Sequence, residues 1–144
     1  MYCSGNLGAM SQVKLTDDQH CFVCGTRNPH GLGITFTICD EQATCVFVPD
    51  KRYQGYAGIV HGGIVTLVLD EAMVHLLWRL GRLAVTAQLS VRFRKPALVG
   101  EELRFRAWIE KEGPRLALMR GLCENKHGEV VAEAEAKCMK EITR

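Results

Sequence analysis

Residues 61–81 read HGGIVTLVLDEAMVHLLWRLG, and this stretch decides the fold. It predicts a helix from about Gly62 to Leu80, with Gly81 as its stop. Apolar side chains lie on nearly all sides of this helix, which is typical of a helix enclosed by protein. We therefore expect the helix to form the centre of the domain.

Two glycines and one carboxylate in this stretch point to chemistry. Gly62 and Gly63 let a ligand approach the backbone closely, and the unpaired N–H groups at a helix start favour developing negative charge. Asp70 lies within the apolar helix, where a carboxylate is costly unless it has a partner or a reactive role. The pattern predicts an oxyanion site and a reactive Asp70, with a purely structural aspartate as the alternative. Periodicity does not separate Asp70 from Glu71.

The spacing of these groups bears on the oligomeric state. Gly62 and Asp70 are eight residues apart, roughly 12 Å along a helix at about 1.5 Å per residue. An attacking group must come within about 3 Å of the carbon whose oxygen the amides hold. One chain therefore cannot present both groups to one substrate. A symmetric dimer resolves this, with Gly62 of one subunit and Asp70 of the partner subunit at each site.

The rest of the chain alternates polar and apolar residues with a period of two, which predicts β-strands. Two strands precede the helix and four follow it, at residues 33–39, 42–48, 83–93, 102–111, 115–124 and 129–141. Short turns between successive strands predict antiparallel pairing. We therefore predict an α+β fold in which a curved antiparallel sheet wraps around one long central helix.

The composition is that of an ordinary globular protein. The chain has 144 residues, 47% of them hydrophobic, and a formal net charge of +2. We expect one domain at 20–144 behind an N-terminal arm at 1–19. The small net charge gives no electrostatic case for nucleic-acid binding. The apolar run at 64–78 is too short to cross a bilayer, and the N-terminus lacks the features of a signal peptide, so we expect a cytoplasmic protein without a membrane partner.

Seven cysteines are scattered along the chain, and we expect them to be reduced because the core needs no disulfides. His20, Cys21, Cys24 and His30 have the residue types of a zinc site. Adjacent His and Cys ligands are awkward, however, and no second Cys-x-x-Cys follows. A redox Cys-x-x-Cys should open a helix, whereas this one precedes a proline turn. We therefore expect no metal and no cofactor.

Thr86 is a candidate polar group in the strand after the helix. A strict alternation places it on the face opposite the apolar residues of 85–93. Its hydroxyl could hold a water or the Asp70 carboxylate there. The alternative is a strand-forming residue on a solvated face.

A basic cluster ends the same strand, formed by Arg92, Arg94 and Lys95 and followed by Pro96. These side chains could bind phosphate, arginine through its planar fork. The alternative is an ordinary charged strand end.

Three stretches of the chain resemble one known family. They are QGYAGIVHGG at 54–63, TLVLDEAM at 66–73 and VRFRKP at 91–96. Together they resemble hotdog-fold acyl-CoA thioesterases of the phenylacetate-pathway (PaaI-like) group, in the 4-hydroxybenzoyl-CoA thioesterase superfamily. The resemblance covers about Cys21 to Glu141.

The resemblance implies a dimer with a continuous joint sheet, often assembled into tetramers as a dimer of dimers, and sites at the dimer interface. It implies hydrolysis of an acyl-CoA thioester to the free acid and CoA. By position, Gly62 supplies an N–H to the oxyanion, with Gly63 beside it, and His61 borders the thioester. Asp70 of the partner subunit is then the base or nucleophile, and Thr86 orients the attacking water.

Gln54 marks a departure from the family pattern. Some relatives have an asparagine six residues before the histidine, where it helps to bind the thioester oxygen, but here that position is Gly55. Gln54 could substitute for it. We predict an acyl-CoA thioesterase that contacts substrate through Gln54, Gly63 and the basic cluster. The alternative is a module that binds or senses acyl-CoA without turnover, because the same cleft would serve it.

Overall fold

A computed structural model describes residues 14–141, and within this range the chain forms one antiparallel sheet and one long helix. The helix α1 spans Gly62–Arg79. The strands are β1 (Thr37–Cys39), β2 (Gln42–Phe47), β3 (Ala84–Phe93), β4 (Leu103–Glu112), β5 (Leu116–Asn125) and β6 (Val130–Lys140). The predicted α+β architecture, a sheet around a central helix, is confirmed.

The ends of α1 follow from the local sequence. His61 is the N-cap, and its ring nitrogen Nδ1 accepts a hydrogen bond from the Gly63 N–H at 2.9 Å. Gly81 has a φ of +74°, in the left-handed region that glycine adopts without a steric penalty. The helix therefore ends just before Gly81, and its predicted bounds are confirmed to within one residue.

One face of α1 packs against β2 to β6. The side chains on this face are fully buried and include Val68, Leu69, Ala72, Met73 and Leu76. The opposite face stays partly open, because Leu67, Asp70 and Val74 are half-buried and Trp78 is 40% exposed. A single chain therefore does not enclose the helix on all sides, although the apolar pattern predicts that it should.

The strand order in the sheet is β1-β2-β4-β5-β6-β3, and all neighbouring strands are antiparallel, as predicted. The expectation that successive strands pair is wrong at one step, because β3 pairs with β6 and not with β4. The connection at 94–102 is too long for a tight hairpin. Part of it pairs with the loop before α1, through Ile59 and Leu98. Within the described residues, β3 is therefore an edge strand with one unpaired side.

The segment before the sheet is less regular than predicted. The first strand begins at Thr37, four residues later than the expected start at Gly33. The backbone before it is paired elsewhere, since the Ile34 N–H donates to the Val23 carbonyl at 2.9 Å. This pairing folds the Cys21 to Cys24 region back against the start of the domain.

The boundary between arm and domain stays a prediction. Of the arm predicted at 1–19, residues 1–13 lie outside the described part of the chain, and residues 14–19 have no regular secondary structure. No helix in the described part has the length and mean hydropathy that crossing a membrane requires.

Candidate active site

The start of α1 carries one free backbone donor. The Gly63 N–H already donates to His61 Nδ1, whereas the Gly62 N–H has no acceptor among the described residues. Because Nδ1 of His61 accepts this hydrogen bond, Nε2 is the ring nitrogen left to interact with a ligand. Of the two predicted glycines, Gly62 is thus the one whose N–H is available to a ligand.

A cavity of about 370 Å³ adjoins Gly62. Its lining comes from the start of α1 and from the end of β3, and it includes Val65, Phe93, Arg94 and Lys95. A Cβ at Gly62 would lie 3.3 Å from Cζ of Phe93, so the absence of a side chain keeps the backbone open on this side. The geometry suits close approach of a ligand to the Gly62 N–H.

The loop before the helix places Gln54 beside His61. The His61 N–H donates to the Tyr53 carbonyl at 2.8 Å, and the backbone of Gln54 pairs with that of Val60 in an isolated antiparallel β-bridge. The Gln54 side-chain oxygen accepts from the Gly58 N–H at 3.3 Å. Its amide nitrogen has no hydrogen-bond partner within residues 14–141 and is able to donate to a ligand.

Asp70 lies eight residues further along the same helix and has Thr86 as its partner. The Thr86 hydroxyl donates to Asp70 Oδ1 at 2.6 Å. This contact corrects the predicted face of Thr86, which points toward the helix and not toward solvent. The reason is a β-bulge, since Thr86 pairs with Cys138 while Gln88 pairs with Lys137, which leaves Ala87 as an extra residue.

The bulge changes which residues of β3 face the core. After it, Leu89 and Val91 pack against the core, whereas Gln88 and Ser90 are exposed. Thr86 and Leu89 therefore lie on one face although their spacing is odd. A strict two-residue period cannot show this shift.

The adjacent carboxylates Asp70 and Glu71 have opposite environments. Burial raises the pKa of Asp70, the Thr86 hydrogen bond lowers it, and the nearby Glu71 charge raises it, so that the net change is upward. Burial also raises the pKa of Glu71, but hydrogen bonds from His75, Cys24 and Cys21 outweigh it and bring this pKa below its usual value. Neighbouring carboxylates with divergent pKa values suit different roles.

Glu71 faces the N-terminal cysteines. The Cys24 thiol donates to Glu71 Oε1 at 2.9 Å and the Cys21 thiol to Oε2 at 3.5 Å, while His75 Nδ1 lies 3.5 Å from Oε1. Sequence reasoning missed this cluster, although the spacing of Glu71 and His75, one helical turn, is a signal that could have pointed to it. His20, grouped with the cysteines on residue type alone, instead contacts the Asp18 backbone.

The predicted basic cluster divides between two surfaces. Arg94 and Lys95 line the cavity at Gly62, but they also pair with Glu133 at 3.1 Å and with Glu129 at 2.5 Å. Arg92 lies apart from this cavity, in a separate depression formed by β3, β5 and β6. The structure therefore brings Arg94 and Lys95 to the Gly62 side and leaves Arg92 away from it.

Comparisons with known proteins agree with this architecture. Residues 57–132 match the family model described as the thioesterase superfamily. The chain is 26% identical over 96 residues to acyl-coenzyme A thioesterase 13 of Mus musculus, a match that covers 65% of this chain and 69% of that protein.

Two solved structures illustrate the similarity in fold. A phenylacetic acid degradation-related protein from Ralstonia eutropha JMP134 superposes with a TM-score of 0.69 at 28% identity, covering 75% of this chain and 85% of that one. The E. coli PaaI protein superposes with a TM-score of 0.71 at 22% identity, covering 75% and 83%. The arrangement of sheet and helix is thus that of the hotdog fold.

Proposed function

The chain belongs to the thioesterase superfamily, and we propose that it hydrolyses acyl-CoA thioesters to the free acid and CoA at a site shared by two subunits. One observation carries the proposal. The free Gly62 N–H and Asp70, whose partner Thr86 lies on β3, are eight residues apart on the same rigid helix. Two copies of the chain are therefore needed to bring both groups to one thioester.

The oxyanion half of the site consists of residues around the start of α1. The Gly62 N–H, aided by the helix dipole, stabilises the negative charge that develops on the carbonyl oxygen. His61 Nε2 and the Gln54 amide nitrogen are further donors for the thioester oxygen. The cavity beside Gly62 accommodates the part of the substrate next to the carbonyl.

The second half is Asp70 of the partner subunit, with Thr86 bound to its Oδ1. As a base, Asp70 takes a proton from water, the water oxygen bonds to the carbonyl carbon, and the oxyanion forms at Gly62. The C–S bond then breaks, and the CoA sulfur takes the proton from Asp70. As a nucleophile, Asp70 itself bonds to the carbon, CoA thiolate leaves, and water hydrolyses the anhydride.

The free edge of the sheet supports a dimer. β3 is paired on one side only, and an antiparallel β3–β3 contact with a second copy would continue the sheet. The half-buried face of α1, with Leu67, Asp70 and Val74, is the part of the helix that a single chain leaves uncovered. A partner on this edge would cover that face. Assembly into a dimer of dimers stays a prediction.

A panel of aromatic, short-chain and long-chain acyl-CoA substrates, followed by thiol release, tests the proposal. We expect turnover of at least one class, and Asp70→Asn should lower kcat about a hundredfold or more, the scale of a lost general base. Glu110→Gln, at an exposed carboxylate paired with Arg120, is the matched control and should keep wild-type kcat. Measurable acyl-CoA binding without turnover would favour a sensing module.

A further inference from the structure

We propose that Cys21, Cys24 and Glu71 form a binding site for a thiophilic divalent metal ion of the zinc class. Within the described residues, one ligand atom from each of these three side chains lies within 4.8 Å of the other two. The expectation of a metal-free motif rested on the awkward adjacency of His20 and Cys21 and on the lack of a second Cys-x-x-Cys in the sequence. The fold supplies a further ligand from the central helix.

The two cysteines lie on a tight turn that holds both sulfurs on one side. The Gly25 N–H donates to the Cys21 carbonyl at 2.9 Å, and the Val23 N–H donates to Cys21 Sγ at 3.4 Å. A side chain at Gly25 is excluded, because a Cβ there would lie 2.5 Å from both the nitrogen and the oxygen of Cys21. A Cys-x-x-Cys-Gly turn with an N–H directed at sulfur stabilises negative charge on that sulfur.

The Glu71 carboxylate lies at a distance from the two sulfurs that is close to the spacing of ligands around a tetrahedrally coordinated zinc ion. Cys24 Sγ lies 2.9 Å from Glu71 Oε1, and Cys21 Sγ lies 3.5 Å from Oε2. Zinc bonds of about 2.3 Å to sulfur and about 2.1 Å to oxygen place tetrahedral ligand atoms roughly 3.4 to 3.8 Å apart. The three ligand atoms lie within 4.8 Å of one another, close to these separations, so an ion can be accommodated by local side-chain movement.

The donor set selects the class of ion. Two thiolates prefer soft or borderline cations such as zinc over calcium or magnesium, which take oxygen ligands. His75, one turn beyond Glu71, is 7% exposed and has its Nδ1 3.5 Å from Glu71 Oε1. The His75 ring would orient the Glu71 carboxylate, as residues that contact metal ligands commonly do.

The fourth ligand comes from an adjacent cavity of about 230 Å³, which Cys24, Glu71, His75 and Asp17 line. Within the described residues, His75 Nε2 is a buried nitrogen without a hydrogen-bond partner. A water in this cavity, or a rotated Asp17 or His75 side chain, completes four-coordination. The ion would tether the segment that contains Cys21 and Cys24 to α1.

Metal uptake by the full chain tests this inference without any acyl-CoA. Protein treated with chelator and then freed of it is titrated with zinc against a colorimetric competitor. We expect uptake of about one zinc per chain with a submicromolar Kd. Cobalt(II) should bind with the charge-transfer absorption of thiolate ligands.

Variants assign the ligands. The double variant Cys21→Ser, Cys24→Ser should abolish zinc uptake. Glu71→Gln should weaken zinc binding at least tenfold while keeping the cobalt–thiolate absorption. Cys39→Ser, at an exposed cysteine outside the cluster, is the control and should leave zinc binding unchanged. Failure of the wild-type chain to bind zinc at micromolar concentrations would overturn the site, whether or not the variants fold. Retention of zinc by the folded double variant would overturn it as well.

Discussion

At the scale of single residues, Thr86 decides how Asp70 is presented. The 2.6 Å hydrogen bond to Oδ1 fixes one carboxylate oxygen and leaves Oδ2 for a water or a thioester carbon. Glu71, one position on, is instead held by two thiols and a histidine. The partners, and not the helix position, therefore give the two neighbouring carboxylates different environments.

Replacing Thr86 by valine removes the hydroxyl and keeps the shape of the side chain. We expect kcat to fall about tenfold to a hundredfold, the range of a positioned proton-transfer group, with KM little changed. Thr86→Ser should restore most of the rate because it restores the donor. Ser90→Ala, on the exposed face of the same strand, is the control. Wild-type kcat in Thr86→Val would remove Thr86 from the mechanism.

Arg94 and Lys95 line the cavity at Gly62, and we propose that they contact the CoA phosphates. Arg94→Ala and Lys95→Ala should raise KM severalfold with little change in kcat, and the effect should shrink as salt increases, because salt already screens the wild-type contact. Arg92→Ala, on a separate surface, is the matched control. An equal rise in KM for all three variants would argue against a local contact.

At the scale of elements, the contact between α1 and β5 shows how closely the helix packs on the sheet. A Cβ at Gly121 would lie 3.2 Å from Cδ2 of the fully buried Leu69. Overpacking of this kind typically costs about 1 to 3 kcal/mol. Gly113 offers a contrast, since a Cβ there meets only the Leu116 carbonyl oxygen, at 3.6 Å.

Gly121→Ala should therefore lower the free energy of unfolding by about 1 to 3 kcal/mol, whereas Gly113→Ala should leave it nearly unchanged. Urea denaturation followed by circular dichroism measures both, provided that the m values stay the same. Equal stability of the two variants would mean that the helix does not approach β5 as closely as described.

The sequence predicts an element well when adjacent residues determine it and poorly when contacts with distant residues determine it. The helix bounds were predictable because His61 and Gly81 act on their own neighbours. The position of β3 was not, because its pairing with β6 depends on the connection at 94–102 and its contact with the loop before α1. The bulge that turns Thr86 inward is one extra residue without a clear sequence signal.

The candidate site was also predictable only where the cause is local in the sequence. Gly62 and Asp70 were identifiable because the helix start and the apolar helix reveal them locally. The contact between Glu71 and Cys24 joins positions 47 residues apart, and neither residue signals it alone. Only the folded chain brings these two residues into contact.

At the scale of the whole molecule, the proposed active site requires two chains. A proline at Gly62 removes the N–H, and proline is tolerated at the first position of a helix. His61 has φ −57° and ψ 129°, which is compatible with a following proline. Gly62→Ala adds a Cβ but keeps the N–H, so comparison of the two variants isolates the donor. We expect kcat of Gly62→Pro to be about a hundredfold to a thousandfold lower than kcat of Gly62→Ala, which is the effect of one lost oxyanion donor.

The most direct test mixes Asp70→Asn chains with Gly62→Pro chains in equal amounts and allows the subunits to exchange. Each mixed dimer then has one site with both wild-type groups, and random exchange should restore roughly a quarter of wild-type kcat per chain. Native mass spectrometry verifies the mixed dimer. Activity no higher than the mean of the two parents in a verified mixed dimer would contradict the account, because one chain would then supply the entire site.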